Sequence, residues 1–408
     1  MDYSTYEHWV VNSEWPKEID AKALYRALEQ IGDGRKRRGV RYSVALVLTL
    51  LLLGKLVGEV KVSGIAQWMR LRKEWVKQQL GRERDDLPCA GTYTYVLEHV
   101  DAEEVTRVVR DFLTRMHSPK QSEAVTVQTM QEHQAQTRHL ALDGKTLRGT
   151  LGHERADQPK HHLLALYEVQ TGIVLAQRQV GEKENEISAA PAMVEDIPLQ
   201  GRIVSADAMQ TQVKFCQLLH RQDADYVLIA KDNQPQLHAD LALYFEDPQA
   251  DGRTWRTQTT TTKGHGRLET RIVTTTADLA AFLGDRWEGI AQVFRVERRI
   301  TQLKSGKSRT EIHYGITSLS PREAGPERVG RLIRDHWAIE NHLHYRRDVT
   351  LDEDASQVRT KHAPQVLAAL NNAVLGLLDW LQVRNAPAQM RIFAARPHEA
   401  LFLLIAVS

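Results

Sequence analysis

His139-Leu140-Ala141-Leu142-Asp143-Gly144 ends a short apolar run on a carboxylate, and Ile203-Val204-Ser205-Ala206-Asp207 repeats the pattern. Runs of this kind read as buried strands, so both aspartates are expected at strand ends, where two carboxylates of one sheet can converge. A helix is expected to begin near Thr211, after the second. The third acid, Glu340, lies in Arg334-Asp335-His336-Trp337-Ala338-Ile339-Glu340-Asn341, and α-helical spacing predicts Trp337, Glu340, His344 and Arg347 along one face. Two strand aspartates and a longer glutamate from a packed helix can surround a pair of hard divalent cations about 3.5–4 Å apart, as phosphodiester chemistry requires. Taken singly, each acid has a plainer explanation: Asp-Gly is a turn signal, Asp before a helix is a cap, and a helical Glu is usually solvated.

Outward from these residues, strands are expected over 137–142, 162–170, 174–180, 201–205 and 226–230, with helices over 187–195, 211–222 and 235–245. Three strands followed by helix–strand alternation predict a mixed α/β sheet covered by helices. Residues 253–318 alternate with period two and are rich in Thr, Val and Ile, as a β-rich insertion would be. Helical periodicity returns over 327–354, and 362–383 forms a strongly apolar helix. Before the sheet, helices are expected over 21–31, 43–57, 63–80, 91–100 and 102–117. The organisation is therefore an α-helical N-terminal domain (1–117), a linker (118–136), the first part of a core (137–250), the insertion (251–320) and a helical completion bearing Glu340 (321–408).

Hydrophobic residues make up 42% of the 408 and charged residues 26%, a balance of folded rather than disordered chains. Lys and Arg number 54 against 52 Asp and Glu, so the net charge of +2 says little about a polyanionic partner. Local clusters say more: Arg35, Lys36, Arg37, Arg38 and Arg41, and later Arg346 and Arg347. Cys89 and Cys216 lack paired spacing, which argues against a disulfide framework or a thiolate zinc site. The polar N-terminus does not resemble a signal peptide, and a cytoplasmic location is expected. The apolar run 44–53 is half of the roughly 20 residues a membrane helix needs, and so is expected as a core helix, with no membrane partner.

Asp143-Gly144-Lys145-Thr146-Leu147-Arg148-Gly149 resembles the first-aspartate motif of H-repeat-associated bacterial insertion-sequence transposases. Lys183-Glu184-Asn185-Glu186-Ile187, Ala206-Asp207-Ala208-Met209-Gln210-Thr211-Gln212, Lys231-Asp232-Asn233-Gln234-Pro235 and His265-Gly266-Arg267-Leu268-Glu269 follow that family's order. The fullest match runs from His336 to Val349 and on through Glu353-Asp354-Ala355-Ser356, while residues 18–113 are similar to the family's helical associated domain. Many relatives carry a Tyr and an Arg before the glutamate and a Lys seven residues after it; here the position four before is His336 and the position seven after is Arg347, and Arg346 falls where an apolar residue is usual.

The resemblance implies a ribonuclease H-like core with the β-rich insertion between Asp207 and Glu340. It implies Asp143, Asp207 and Glu340 as catalytic ligands of two Mg²⁺ ions, with Mn²⁺ as a substitute, acting on double-stranded DNA at transposon ends and target. A homodimer or larger synaptic assembly and a nucleoid-associated bacterial protein are implied as well. Lys145, Arg148, Lys231, Asn233, Asn341, His344 and Arg347 are the expected DNA contacts near the site, and Arg35, Lys36, Arg37 and Arg38 those of the helical domain. Trp337 is expected to pack. A domesticated nuclease of the same fold, or a DNA-binding relative without catalysis, stays open as an alternative, although retention of all three acids speaks against the latter.

Overall fold

A computed structural model describes residues 23–36, 40–81, 86–117, 138–150, 161–181, 184–247, 254–264 and 266–405. Arg37, Arg38 and the expected linker lie outside them. Among the described residues nine strands form one sheet: β1 (His139–Thr146), β2 (His162–Glu168), β3 (Ile173–Gln179), β4 (Ile203–Ala206), β5 (Asp225–Ala230), β6 (Arg256–Gly264), β7 (Arg267–Thr276), β8 (Gln292–Gln302) and β9 (Ser308–Thr317). Their order is β3-β2-β1-β4-β5-β9-β8-β7-β6. β1, β4 and β5 run parallel, and the remaining pairs are antiparallel. This mixed α/β sheet with its helices is ribonuclease H-like. The β-rich insertion extends the same sheet instead of standing apart, because β9 pairs with β5 from Val227↔Thr317 to Ala230↔Tyr314.

Helices α1 (Leu24–Leu28), α2 (Val44–Leu56), α3 (Val62–Leu71), α4 (Lys73–Gln79), α5 (Ala90–Leu97) and α6 (Ala102–His117) precede the sheet. The helix expected over 63–80 is two, separated at Arg72, whose φ of −116° and ψ of 24° leave the α region. Every residue of α2 is buried, so the run 44–53 is a core helix apolar on all sides. Within and after the sheet come α7 (Glu186–Val194), α8 (Val213–Arg221), α9 (Pro235–Glu246), α10 (Ala280–Gly284), α11 (Pro326–His336), α12 (Tyr345–Val349), α13 (Ala363–Trp380), α14 (Ala386–Ala395) and α15 (Pro397–Ile405). No described helix is long and apolar enough to cross a membrane.

The N-terminal helices share one apolar cluster with the sheet and the C-terminal helices. α6 packs on β3 and α13, while α2 touches α13 and α15. Gly376 lets α13 approach α6 closely, since a Cβ there would stand 2.5 Å from Leu113. At the meeting of α2, β3, α12 and α13 lies a buried polar knot. Arg347, 0% exposed, donates to Glu353 Oε1 and Oε2 at 3.0 and 2.8 Å. Asn371 donates to the same carboxylate at 2.7 Å, and Asn372 donates to Gln177 at 2.9 Å. Lys55 of α2 is also buried; loss of water pulls its pKa down to about 8, against the attraction of Glu353.

Breaking a buried ion pair on one side costs about 3–5 kcal/mol. Glu353→Gln leaves Arg347 and Lys55 buried without their carboxylate, so a fall of that size in urea-unfolding free energy is expected, and an unchanged midpoint would show that the knot carries no stability.

Candidate active site

Parallel pairing of β1 with β4 runs from His139↔Ile203 to Leu142↔Ala206. β4 ends there, but β1 continues against β2 through Asp143↔Ala165 to Thr146↔His162. Asp143 therefore sits inside a strand at the point where one neighbour stops, not at the strand's end, and Asp143-Gly144 forms no turn. Asp207 is the next residue of the adjacent chain and caps a short turn, its Oδ1 accepting from the Ala208 N–H at 2.8 Å. Strand alternation puts Asp143 on the face of His139, and Asp207 on the face of Ile203 and Ser205. That is the face covered by α11, because Ile203 packs in one cluster with Val329 and Leu332, and Ser205 Oγ is bonded to His139 Nε2 at 2.7 Å and to His336 Nδ1 at 3.0 Å.

His336 ends α11 four residues before Glu340, so the His139–Ser205–His336 chain ties the glutamate-bearing segment to the strand that leads into Asp207. All three groups are buried or nearly so, and burial lowers the pKa of His139 to about 3 and that of His336 below the usual value. Glu340 then lies in a wide turn, Ile339–His344, in which the Tyr345 N–H bonds to the Glu340 carbonyl five residues back. The extra residue breaks the expected helical face. Trp337 and Glu340 are exposed, whereas His344 and Arg347 point inward.

Burial is the main cause that raises the Asp143 pKa, to about 7; a bond from the Gly144 N–H opposes it, and the charges of Glu340, Glu186 and Asp207 add to the rise. His344 Nδ1 lies 3.4 Å from Asp143 Oδ2, but burial holds that imidazole down to about 3, hence neutral. Its Nε2 is buried with no hydrogen-bond partner among the described residues. Asp143 thus lies near enough to Glu340, Glu186 and Asp207 to feel their charge, and carboxylate oxygens are the donors a divalent cation accepts. As placed, no three of the described His, Cys, Asp and Glu side chains converge on one point to hold an ion.

The basic residues divide sharply. Lys231 Nζ stands 3.6 Å from Asp207 and is half exposed, and Arg148 is 79% exposed. Asn341 and Asn233 are exposed, with amides that bond to the carbonyls of Trp337 and Ala208. Lys36 is exposed too. The others turn away from solvent: Lys145 is held by Asp348 at 2.6 Å and Asp354 at 3.5 Å, Arg347 by Glu353, Arg35 by Asp33 and the Tyr42 carbonyl, and His344 lies under Asp143. Sequence reasoning did not find the bonded chain through Ser205 or the nearness of Glu186. The alternation of Ser205 with Asp207 was a signal for the first, and the missing side chain at Gly144 for the second.

The sequence profile described as Transposase DDE domain matches residues 134–377, and one described as DDE_Tnp_1-associated matches 25–113. The chain belongs to the DDE transposase family. It is 26% identical over 368 residues to "Putative transposase YncI" of Escherichia coli O157:H7, covering 88% of each chain. It is 23% identical over 364 residues to "H repeat-associated putative transposase YhhI" of Escherichia coli K12, covering 88% of this chain and 91% of that one. An uncharacterized protein of Xanthobacter autotrophicus is 28% identical over 260 residues, 63% of this chain and 82% of that one. The H-repeat-associated resemblance is thereby shown, and the helical segment before the sheet coincides with the DDE-associated family.

A DDE transposase of this build has a specific pH signature without metal. Because the folded state raises the Asp143 pKa from 3.8 to about 7, folding takes up a proton between those values, and the ionised carboxylate costs stability above pH 7. Asp143→Asn is expected to match wild type in melting temperature near pH 4 and to melt higher at pH 8, where its unfolding free energy exceeds that of wild type by on the order of a few kcal/mol. Thermal melts in chelator check this, and equal stability at pH 8 would contradict the crowding of charge.

Proposed function

We propose that this DDE transposase cuts DNA at the ends of a mobile element and joins the freed 3′ ends to target DNA, with Asp143, Asp207 and Glu340 as the ligands of its divalent ions. The observation that carries this is the placement of Asp143 and Asp207 beside each other where β4 stops, on the face to which His336 fastens the Glu340 segment. When bound, Mg²⁺ or Mn²⁺ supplies nucleophile activation and charge neutralisation for phosphodiester cleavage. The chain's own groups hold and orient. Asp207, fixed by the Ala208 N–H, and Asp143, fixed by its strand, present oxygens of set direction, while Glu340 stands exposed on the neighbouring turn, from which it would have to move in to share an ion.

Lys231, Arg148, Asn233, Asn341 and Lys36 are the proposed contacts to the phosphate backbone, being the exposed members of the expected set among the described residues. Beside Asp207 a cavity of about 420 Å³, lined by Lys231, His313, His336, Trp337 and Asn341 among others, gives a DNA strand a place to enter between the sheet and α11. Trp337, half exposed at that mouth, suits contact with a base more than packing. Synapsis of two ends calls for a dimer or larger assembly.

A cleavage assay with Mg²⁺ on DNA carrying the element's own ends tests the proposal. Asp207→Ala should lose at least about 10³-fold in rate, the equivalent of several kcal/mol of charge stabilisation; metal-independent cutting, or full activity in the variant, would refute it. Lys231→Ala should weaken DNA binding similarly for all sequences and lower the slope of log K against log salt by about 1, as read by fluorescence anisotropy across a salt series.

A further inference from the structure

A cavity of about 380 Å³ lies between the N-terminal helices and the core. One wall is the end of α2 and the start of α3, with Lys55, Lys61, Val62 and Ser63. The facing wall is the stretch from Leu351 to Thr360, which follows the Glu340 segment. That wall is pressed against the turn after β1, since a Cβ on Gly149 would stand 2.4 Å from the Ser356 carbonyl oxygen. None of Asp143, Asp207 and Glu340 lines the cavity.

Lys55 is 3% exposed and lines the cavity, and its ammonium has no hydrogen-bond partner among the described residues; beyond loss of water, only the charges of Glu353 and Arg347 act on it. Glu353 already accepts from Arg347 and Asn371. Two buried cations therefore share one carboxylate, and a positive charge is left without a balancing group. Asp352 also borders the cavity, but it is exposed and solvated.

The start of α3 is a second, independent source of unmet donors. Its N-cap, Lys61, makes no side-chain capping bond, and the N–H groups of Val62, Ser63 and Gly64 meet no acceptor among the described residues. A helix of ten residues directs such N–H groups and the positive end of its dipole at whatever lies before it. Val62 and Ser63 line the cavity; Glu59 stands beside Gly64, outside the lining, and accepts none of these bonds.

We propose that this cavity binds a phosphate group, held between the first N–H groups of α3 and the ammonium of Lys55. Lys61, exposed at the rim, adds attraction for an approaching anion. A DNA phosphate and a free phosphate or mononucleotide present the same tetrahedral oxygens to these donors. Either would join α3 to the stretch that follows the Glu340 segment.

Thermal melts of the full-length protein in chelator, with inorganic phosphate added at an ionic strength held constant by NaCl, test the site apart from any metal. Wild type is expected to melt higher as phosphate is added, to saturation. Lys55→Met keeps the volume and removes the charge, and Ser63→Glu, at an exposed position, sets a carboxylate at the helix start; each should weaken phosphate binding at least about 10-fold. Ser63→Glu carries the comparison if Lys55→Met does not fold. No rise in wild type, or an equal rise in all three proteins as exclusion of phosphate from the surface would give, would overturn the site. Fluorescence anisotropy with a duplex oligonucleotide then identifies the source. Displacement of the duplex by inorganic phosphate, with a similar loss of duplex affinity in Lys55→Met, supports the site with DNA as its ligand. Unchanged duplex affinity in variants that have lost phosphate supports it with a free phosphate or mononucleotide.

Discussion

The site depends on where the parallel pairing of β1 and β4 stops. Four residue pairs, His139↔Ile203 to Leu142↔Ala206, align the two chains in register, so the next residue of each is an aspartate beside an aspartate. A one-residue slip would send one of them to the opposite face. Register is held by apolar burial on both faces, Val204, Leu140 and Leu142 in the large core and Ile203 under α11, and by the hydroxyl of Ser205, which bonds to histidines from β1 and α11. Bringing two like charges together has an electrostatic cost, met here by the packing energy of the strands behind them.

Glu340 is positioned by what flanks it. Upstream, His336 is fastened to Ser205. Downstream, α12 is anchored three times: Lys145 to Asp348, Arg346 to Asp379 at 2.6 Å, and Arg347 to Glu353. Between these fixed ends the chain takes a wide turn, which moves the glutamate outward relative to an α-helix of the same length. The anchors also connect the site to the N-terminal helices, since Glu353 acts on Lys55 of α2. A helical segment that shares this buried charge cannot be displaced without exposing it, so the N-terminal helices and the Glu340 segment are mechanically joined.

The strands and most helices were legible because their signals are local. Period-two runs and apolar faces place β1 to β5 and α7 to α9 within a few residues, and the Thr-rich insertion was recognisable from its alternation. What was not legible depends on partners distant in sequence. That the insertion continues the sheet follows from β9 meeting β5, a pairing no short window contains. The face expected to carry Trp337, Glu340, His344 and Arg347 assumed 3.6 residues per turn, and the wide turn changes that count. Arg347 and Lys145 have the residue types of phosphate ligands, but Glu353, Asp348 and Asp354 lie within reach only after folding, and burial with a carboxylate holds each cation inside. The aspartates' faces were easier to anticipate than the directions of the bases, because strand alternation limits where an aspartate can point even though Asp143 lies within β1 and not at its end, whereas a long cationic side chain can turn either way.

The sequestration of those cations has its own electrostatic effect on Asp143. A lysine or arginine at contact distance would lower the carboxyl's pKa and balance its charge. Lys145 is only two residues away on the same strand face, yet Asp348 and Asp354 hold its ammonium; Arg347 is on the neighbouring helix, yet Glu353 takes its guanidinium. The only cation paired with the three acids among the described residues is Lys231, half exposed at Asp207 and therefore well screened. An outer ring of carboxylates thus occupies the nearby bases and leaves the inner ring unbalanced. The outer acids act on Asp143 without touching it: neutralising Asp348 or Asp354 would free Lys145 to move toward Asp143 and offset its charge.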